Sequence, residues 1–390
     1  MKSWIDVSGE RLAANYRAVQ AAAPGFELMA VVKADAYGHG AEQCALVLAA
    51  AGAQWFGVTD LEEGERVRRT LRETGWAAED KHVVVLSGFE PEDASGIVGA
   101  GLTPVVWTPQ HVQVLQQAAA EAGERVAVQL EVDTGMARQG VAPGASMTHL
   151  LESLRAAPRV RLEGVFSHLS CSEQAHAAET RSQEGRFMEA KEQIRGEDLL
   201  PEWIHFGNSA SIEEGSTLPW LEHAEKGRLM NLMVRPGLAL YGYVLPLEGD
   251  PLQGGILRQA LQPVATWKTH VIGVREIGAG ETVGYGATFI AEKPMQLALL
   301  PVGYADGFRR EASSGVGDGW VVIGGRRAEV VGRVSMNLTV VDVTDHVPEV
   351  RMGDEVVLLG EGVTAEDHAD WCGTIPYEIL CGMRGIRRLV

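Results

Sequence analysis

Eight short apolar runs punctuate roughly the first 240 residues of the chain: Met29–Ala34, Trp55–Thr59, His82–Gly88, Leu102–Trp107, Ala127–Asp133, Leu162–His168, Trp203–Gly207 and Leu232–Gly237. They do not alternate with polar residues, which is the pattern of parallel strands covered on both faces. Helix-like stretches separate them, among them Ala41–Ala51, Asp60–Thr74, Pro109–Ala122 and Glu173–Ile194. Eight strand–helix units are the number a (β/α)8 TIM barrel requires; an open doubly wound sheet is the other arrangement that periodicity allows. The expectation is an α/β barrel over residues 1–245, its first few residues able to pair with the second domain.

After Tyr243 the pattern changes. Pro246–Gly255 (PLEGDPLQGG) reads as a linker. Beyond it come β-branched runs with turn signals: Val264–Val274, Met295–Val302, Trp320–Ile323, Ala328–Val343 and Glu355–Leu359. They predict a mostly β domain over residues 246–390, a compact barrel or sandwich. Such a linker lets reactive groups come from both halves of one chain, or from two chains.

Composition narrows the function. With 46% hydrophobic and 22% charged residues, the 390-residue chain has the profile of a soluble globular protein of two domains. A formal net charge of −18 argues against nucleic acid and anionic membrane surfaces as partners. Four scattered cysteines (Cys44, Cys171, Cys372 and Cys381) form no C-x-x-C pair and read as reduced thiols. The opening MKSWIDVSGERLAANYR has charges where a signal peptide needs an apolar stretch, and no run of about 18 apolar residues occurs. A cytoplasmic protein is expected.

The segment MAVVKADAYGHG (Met29–Gly40) carries the first chemistry. Lys33 ends an apolar run, where a cation is costly unless its amine is used. One use is a Schiff base with a carbonyl such as that of pyridoxal phosphate; the plain alternative is a lysine reaching from the strand end into solvent. In a (β/α)8 barrel the active site lies at the C-terminal strand ends. Read in order, those ends carry Lys33 with Tyr37, Arg138, His168, Asn208 with Ser209, and Arg235 before Pro236-Gly237. Singly, His168 reads as a core histidine and Arg138 as a surface ion-pair partner; their shared position favours a site. Ser209, the amides near Gly237 and Leu238, and the Tyr37 hydroxyl could cradle a phosphate. Arg235 suits a planar partner such as a pyridine nitrogen.

MAVVKADAYGHG, LEVDTGMARQG, FSHLS, FGNSAS, VRPGLALYG, GETVGYGATF, LPVGYADGF, GRVSMN and TIPYEIL follow one another along nearly the whole chain. In order and spacing the sequence resembles the alanine racemases, pyridoxal 5'-phosphate enzymes in which a barrel is followed by a β domain. The resemblance implies a homodimer with shared active sites that interconverts L-alanine and D-alanine, the latter for peptidoglycan. Lys33 would hold the cofactor and serve as one catalytic base, and Tyr285, from the β domain of a second copy, as the other. Arg138 would bond the cofactor phenolate and help place the substrate, Arg235 would pair with the pyridine nitrogen, and His168 would support Arg235. Tyr37, Ser209, Gly237, Leu238 and Tyr377 would contact the phosphate, with Asn208 beside them. Met336 from the second copy would face the substrate carboxylate, and Arg310 and Arg333 would line the access channel. Racemisation needs two bases on opposite faces of a planar centre. An amine and a phenol both ionise near pH 10 in water, so each must be activated by its surroundings.

Two positions depart from the commonest family pattern. Glu131 stands where many members have a lysine that becomes carbamylated, seven residues before Arg138, and is expected to hold Arg138 directly. Asn337 replaces an aspartate after Met336. Gly278-Ala279-Gly280 is no dinucleotide fingerprint, and the histidines, His39 and His205 included, lack metal-ligand spacing, so no metal is expected. Competing readings are a serine or broad-specificity racemase, a basic amino-acid decarboxylase of the same plan, and a non-catalytic pyridoxal-phosphate carrier. Tyr285 in its glycine-flanked motif favours a racemase, and Tyr377 favours a small side chain.

Overall fold

A computed structural model of the chain describes residues 2–76, 80–226, 230–249 and 255–390. The chain divides into two compact units: Leu12–Ala36 with Ala41–Gln262, and Met1–Arg11 with Tyr37–Gly40 and Pro263–Val390. Residues 250–254 of the linker expected at Pro246–Gly255 lie outside the described residues.

The first unit is a closed barrel of eight parallel strands: β2 (Glu27–Val31), β3 (Trp55–Val58), β4 (His82–Val85), β5 (Thr103–Val106), β6 (Val126–Glu131), β7 (Val160–Phe166), β8 (Trp203–Asn208) and β9 (Asn231–Arg235). Pairing of Glu27 with Met233 and Leu28 with Val234 closes the ring, which excludes the open sheet. The strands are apolar because the ring has no wet face: helices cover the outside and side chains fill the inside. Met29, Trp55, Val84, Val105, Phe166 and Met233, from six strands, form one buried cluster.

Helix starts follow local chemistry. Asp60 accepts from the amide of Glu63 at 3.0 Å to cap Leu61–Glu73, and Thr108 caps Pro109–Ala122 with proline in its first turn. The helix expected from Glu173 begins at Ala178. Short helices at Ala94–Ala100, Ala145–Arg155 and Thr217–Glu225 complete the outer layer.

In the second unit, β1 (Ser3–Val7) lies between β10 (Ala265–His270) and β19 (Ile386–Leu389) in a six-stranded sheet that also holds β15 (Trp320–Ile323), β16 (Arg326–Glu329) and β18 (Glu355–Leu359). A second sheet joins β11 (Gly273–Ile277), β14 (Met295–Leu300) and β17 (Thr339–Asp342), and a two-stranded ribbon joins β12 (Thr282–Val283) to β13 (Phe289–Ile290).

His368, in the helix Ala365–Cys372, is buried and donates from Nε2 to the carbonyl of Leu358 at 2.8 Å. Burial lowers its pKa to about 4, against the opposing pull of that carbonyl and Asp367. Between pH 6.5 and 4 the unfolded chain therefore binds a proton that the folded chain refuses, so stability is full above pH 6.5 and drains as pH falls, by about 3 kcal/mol. His368→Gln keeps a donor but cannot titrate. Urea unfolding at pH 7, 5.5 and 4 should show the wild type losing about 3 kcal/mol more than the variant; parallel pH dependences would refute the assignment.

Candidate active site

β2 ends at Val31, two residues short of Lys33, so the strand expected to reach Ala34 stops early. Ala34, Asp35, Ala36 and Tyr37 then all lie in the left-handed region, with φ of 53 to 54°. These four residues begin the turn, and Gly38 and Gly40, at φ +82° and +96°, continue it. Each non-glycine residue there costs about 1–2 kcal/mol, so the run needs external support. Glu63 supplies it: one carboxylate oxygen accepts from the amide of Asp35 and the other from the amide of Thr59, both at 2.9 Å. Asp35 in turn accepts from the amide of Ala41 at 2.9 Å. Lys33 is thus fixed at the head of a turn clamped by the next strand–helix loop.

Arg235, the last residue of β9, is buried and donates to three acceptors: His205 Nδ1 at 3.0 Å, the Ser167 carbonyl at 2.7 Å and His168 Nδ1 at 3.2 Å. It also lies 4.8 Å over the ring of Phe166. Guanidinium has no acceptor, so both imidazoles present a bare nitrogen and are neutral. Their pKa values agree in direction. That of His168 is driven well below the usual value by burial first, then by the charges of Arg235, Arg138 and Lys33; that of His205 by burial and Arg235. Arg235 itself is lowered to about 10, chiefly by burial, with Glu131 opposing. Lys33, Arg138, His168, Arg235 and Glu131 therefore share one electrostatic neighbourhood.

His205 is a site residue that sequence reasoning set aside. Strand parity holds the signal that could have found it, because His205 and Trp203 point the same way and Trp203 packs on the barrel core.

Arg138 is exposed on a loop shaped by Asp133, whose carboxylate accepts from the amides of Gly135 and Ala137 at 2.9 and 3.1 Å. Gly140 closes that loop, since a Cβ there would come within 2.7 Å of the Asp133 amide. Glu131 does not hold Arg138 directly, contrary to expectation. Its carboxylate accepts from Gln139, the residue after Arg138, and feels Arg235 and Arg138 only through space. The reach explains it: Gln139 is on the returning limb of the loop, bonded to the carbonyl of Leu86 at 2.8 Å, and meets Glu131 first. Burial raises the Glu131 pKa, with Gln139 and the two arginines pulling it down.

Ser209 opens the helix Ser209–Glu214, and its hydroxyl accepts from the amides of Gly237 and Ala239 at 3.0 and 3.2 Å. Ser209, Gly237 and Leu238 are thereby brought together. Both polar groups of the Asn208 side chain are committed elsewhere, its carbonyl to the amide of Ser211 and its amino group to Ser172, each at 3.0 Å.

In the β unit, the rings of Tyr37 and Tyr377 lie 5.9 Å apart at 43°. The Tyr37 hydroxyl is pushed above its ordinary pKa by burial first, then by Tyr377 and Cys381. Gly38, at φ +82°, has no room for a Cβ against the Leu380 carbonyl. Tyr285 is 72% exposed on a turn whose flanking glycines, Gly284 and Gly286, both have positive φ, and Met336 is 56% exposed. Arg333 lies against Gly286, and Arg310 opens the short turn Arg310–Ala312. Asn337 donates to Asp306 at 3.3 Å.

The donors fit pyridoxal phosphate. A lysine for its carbonyl, a buried guanidinium for its ring nitrogen, and a hydroxyl among loop amides for its phosphate are the groups it needs, in a neighbourhood of three cations and one carboxylate. Fold and donor set together define a barrel-plus-β enzyme of the pyridoxal-phosphate class.

Comparison with known proteins gives the particular family. The family description "Alanine racemase, N-terminal domain" matches residues 7–245, and "Alanine racemase, C-terminal domain" matches residues 264–389. The chain is 36% identical over 389 residues to an alanine racemase of Syntrophobacter fumaroxidans, covering 98% of this chain and 95% of that one. It resembles the alanine racemase structure from Streptomyces coelicolor A3(2), with TM-score 0.85, 32% identity and coverage of 99% and 97%. It is also similar to that from Bartonella henselae with covalently bound pyridoxal phosphate, with TM-score 0.81, 28% identity and coverage of 100% and 99%. The chain belongs to the alanine racemase family, a family of pyridoxal-phosphate-dependent amino-acid racemases.

Ala34 is exposed, so its methyl contributes little besides left-handed strain. Ala34→Gly should leave stability unchanged or raise it by up to about 1 kcal/mol, the relief of strain being partly offset by glycine's chain entropy. Calorimetry showing the variant clearly less stable would mean the turn is not strained as described.

Proposed function

We propose that the protein interconverts L-alanine and D-alanine with pyridoxal 5'-phosphate, as a cytoplasmic homodimer that supplies D-alanine for peptidoglycan. The observation that carries the reading is the guanidinium of Arg235, buried among His205, His168 and the Ser167 carbonyl in the neighbourhood of Lys33. Pyridoxal phosphate, when bound, supplies a carbonyl that captures the amino group of alanine and a conjugated ring that makes the α-hydrogen acidic. The residues do the rest.

Arg235 stays protonated at neutral pH and can only donate, so a ring nitrogen beside it remains an acceptor without a proton of its own. That moderates electron withdrawal and favours return of the proton to the α-carbon over transfer elsewhere. Ser209 with the amides at Gly237 and Leu238 holds the phosphate, and Asn208 orders the loop by capping its helix. Arg138, carried on the loop that Gln139 ties to Glu131, positions the phenolate and the substrate carboxylate.

Lys33 moves the α-proton at one face. Tyr285 of a second copy moves it at the other, with Met336 of that copy beside the substrate carboxylate. The exposure of Tyr285 and Met336 supports this, as do Ile290, Tyr304 and Leu338, all exposed in the same unit. Exposed apolar side chains of this kind suit a protein interface. Among the described residues no helix is long and apolar enough to cross a membrane.

Chiral chromatography after incubation with single L-amino acids should show D-alanine formed well ahead of D-serine, D-lysine and D-arginine; carbon dioxide release would point to a decarboxylase instead. Lys33→Ala and Tyr285→Phe should each be nearly inactive alone. Refolded together in equal amounts, they should recover about a quarter of wild-type activity, because half the dimers are mixed and each mixed dimer has one intact site. No recovery would rule out sites shared between copies. Glu131→Gln should lower kcat/KM by about tenfold by loosening Arg138, while bicarbonate leaves the wild type unchanged; bicarbonate activation would show a carbamate instead.

A further inference from the structure

Six barrel strands give buried apolar side chains to the central cluster, while the fully buried interior residues of β6 and β8 include Gln129 and His205. Left without partners, such groups would cost about 1–3 kcal/mol each. Their hydrogen bonds run in one direction. Arg235 only donates, so His205 Nδ1 accepts and the imidazole proton sits on Nε2. Nε2 lies 3.2 Å from Gln129 Oε1, which accepts; this orients the amide, whose Nε2 donates to Glu163 Oε2 at 3.1 Å. The other oxygen of Glu163 accepts from Arg161 at 2.8 Å, and Arg161 reaches Glu202 at the N-terminal end of β8. Gly164 is the register partner of Gln129 on β7, and a Cβ there would overlap the Gln129 amide. Glycine at that position leaves the space the amide occupies.

We propose that Gln129, seated by Gly164 and Glu163, is a positioning residue for the reaction: it holds His205 in its Nε2–H form, which keeps the Arg235 guanidinium aimed at the cofactor ring. This rests on the reading of Arg235 as partner of the ring nitrogen. Without the Gln129 carbonyl, the His205 proton can move to Nδ1, where it faces the guanidinium donor to donor, and Arg235 turns away.

The test combines nitrogen-15 NMR of histidine-labelled holoenzyme, with the His205 signals assigned by their loss in His205→Gln, and steady-state kinetics. The wild type should show neutral His205 with its proton on Nε2. Gln129→Met should give mixed tautomers and lower kcat for alanine about tenfold, with KM changed less than about twofold. The double exchange Gln129→Glu with Glu163→Gln swaps amide and carboxylate but preserves every donor–acceptor pair. It should restore the tautomer and most of kcat, which a loss of packing alone would not predict. An active wild type with His205 protonated on Nδ1 or on both nitrogens overturns the proposal, as does Gln129→Met with unchanged tautomer and kcat. Should Gln129→Met fail to fold, the wild-type tautomer and the double exchange decide. A correct tautomer in a wild type that racemises no alanine would instead overturn the functional reading and, with it, the catalytic part of this proposal.

Discussion

A guanidinium buried at the end of a barrel strand imposes conditions on everything around it. Arg235 carries a fixed charge and five donors but no acceptor, so each neighbour must accept, and no neighbouring imidazole can be charged. His168, His205 and the Ser167 carbonyl meet that demand with lone pairs, Phe166 with a ring face, and Glu131 with a charge at a distance. Removing one partner of a buried charge is far more damaging than removing an exposed ion pair. The uncharged state of both imidazoles at this end of the barrel therefore follows from one side chain.

The architecture was legible because its physics is local and repetitive. Strands covered on both faces must be apolar throughout, and the eight runs show this without any knowledge of tertiary structure. The turn after Lys33 was not legible. Nothing in Ala34, Asp35 and Ala36 signals a left-handed backbone; the run exists because Glu63, 28 residues beyond Asp35, accepts its amide. The link between Glu131 and Arg138 was misjudged for a similar reason. Spacing along the chain placed the two near each other, but the loop folds back so that Gln139 takes the hydrogen bond. His205 was weighed only as a metal ligand because its partner Arg235 lies on the neighbouring strand, where a sequence shows only another residue in an apolar run.

The two units put their chemistry in opposite settings. In the barrel unit Arg235 sits at a strand end, its side chain locked by packing and hydrogen bonds, as suits a group whose orientation must not vary. In the β unit the reactive candidate, Tyr285, is held by backbone: two glycines in positive φ flank it and Arg333 lies alongside, while its ring stays exposed. A phenol presented this way gains nothing for its own unit. The proposed second copy would cover it, which would make assembly a condition of catalysis.

A barrel interior filled only with aliphatic residues would have been the simpler solution, and buried polar groups replaced by well-matched apolar ones often leave stability unchanged or improved. The polar set on β6, β7 and β8 is therefore better explained by direction than by stability. Van der Waals contact can fix where an imidazole ring lies, but it cannot decide which nitrogen carries the proton, because the two tautomers have nearly the same shape. Only an acceptor at one nitrogen and a donor at the other make that choice, and in this barrel the donor is Arg235 and the acceptor is Gln129. An amide in turn has two ends of similar shape, and Glu163 selects between them. Each buried partner removes one ambiguity left by the one before it, until the chain of bonds reaches Arg161, half in solvent, where no ambiguity remains to be resolved.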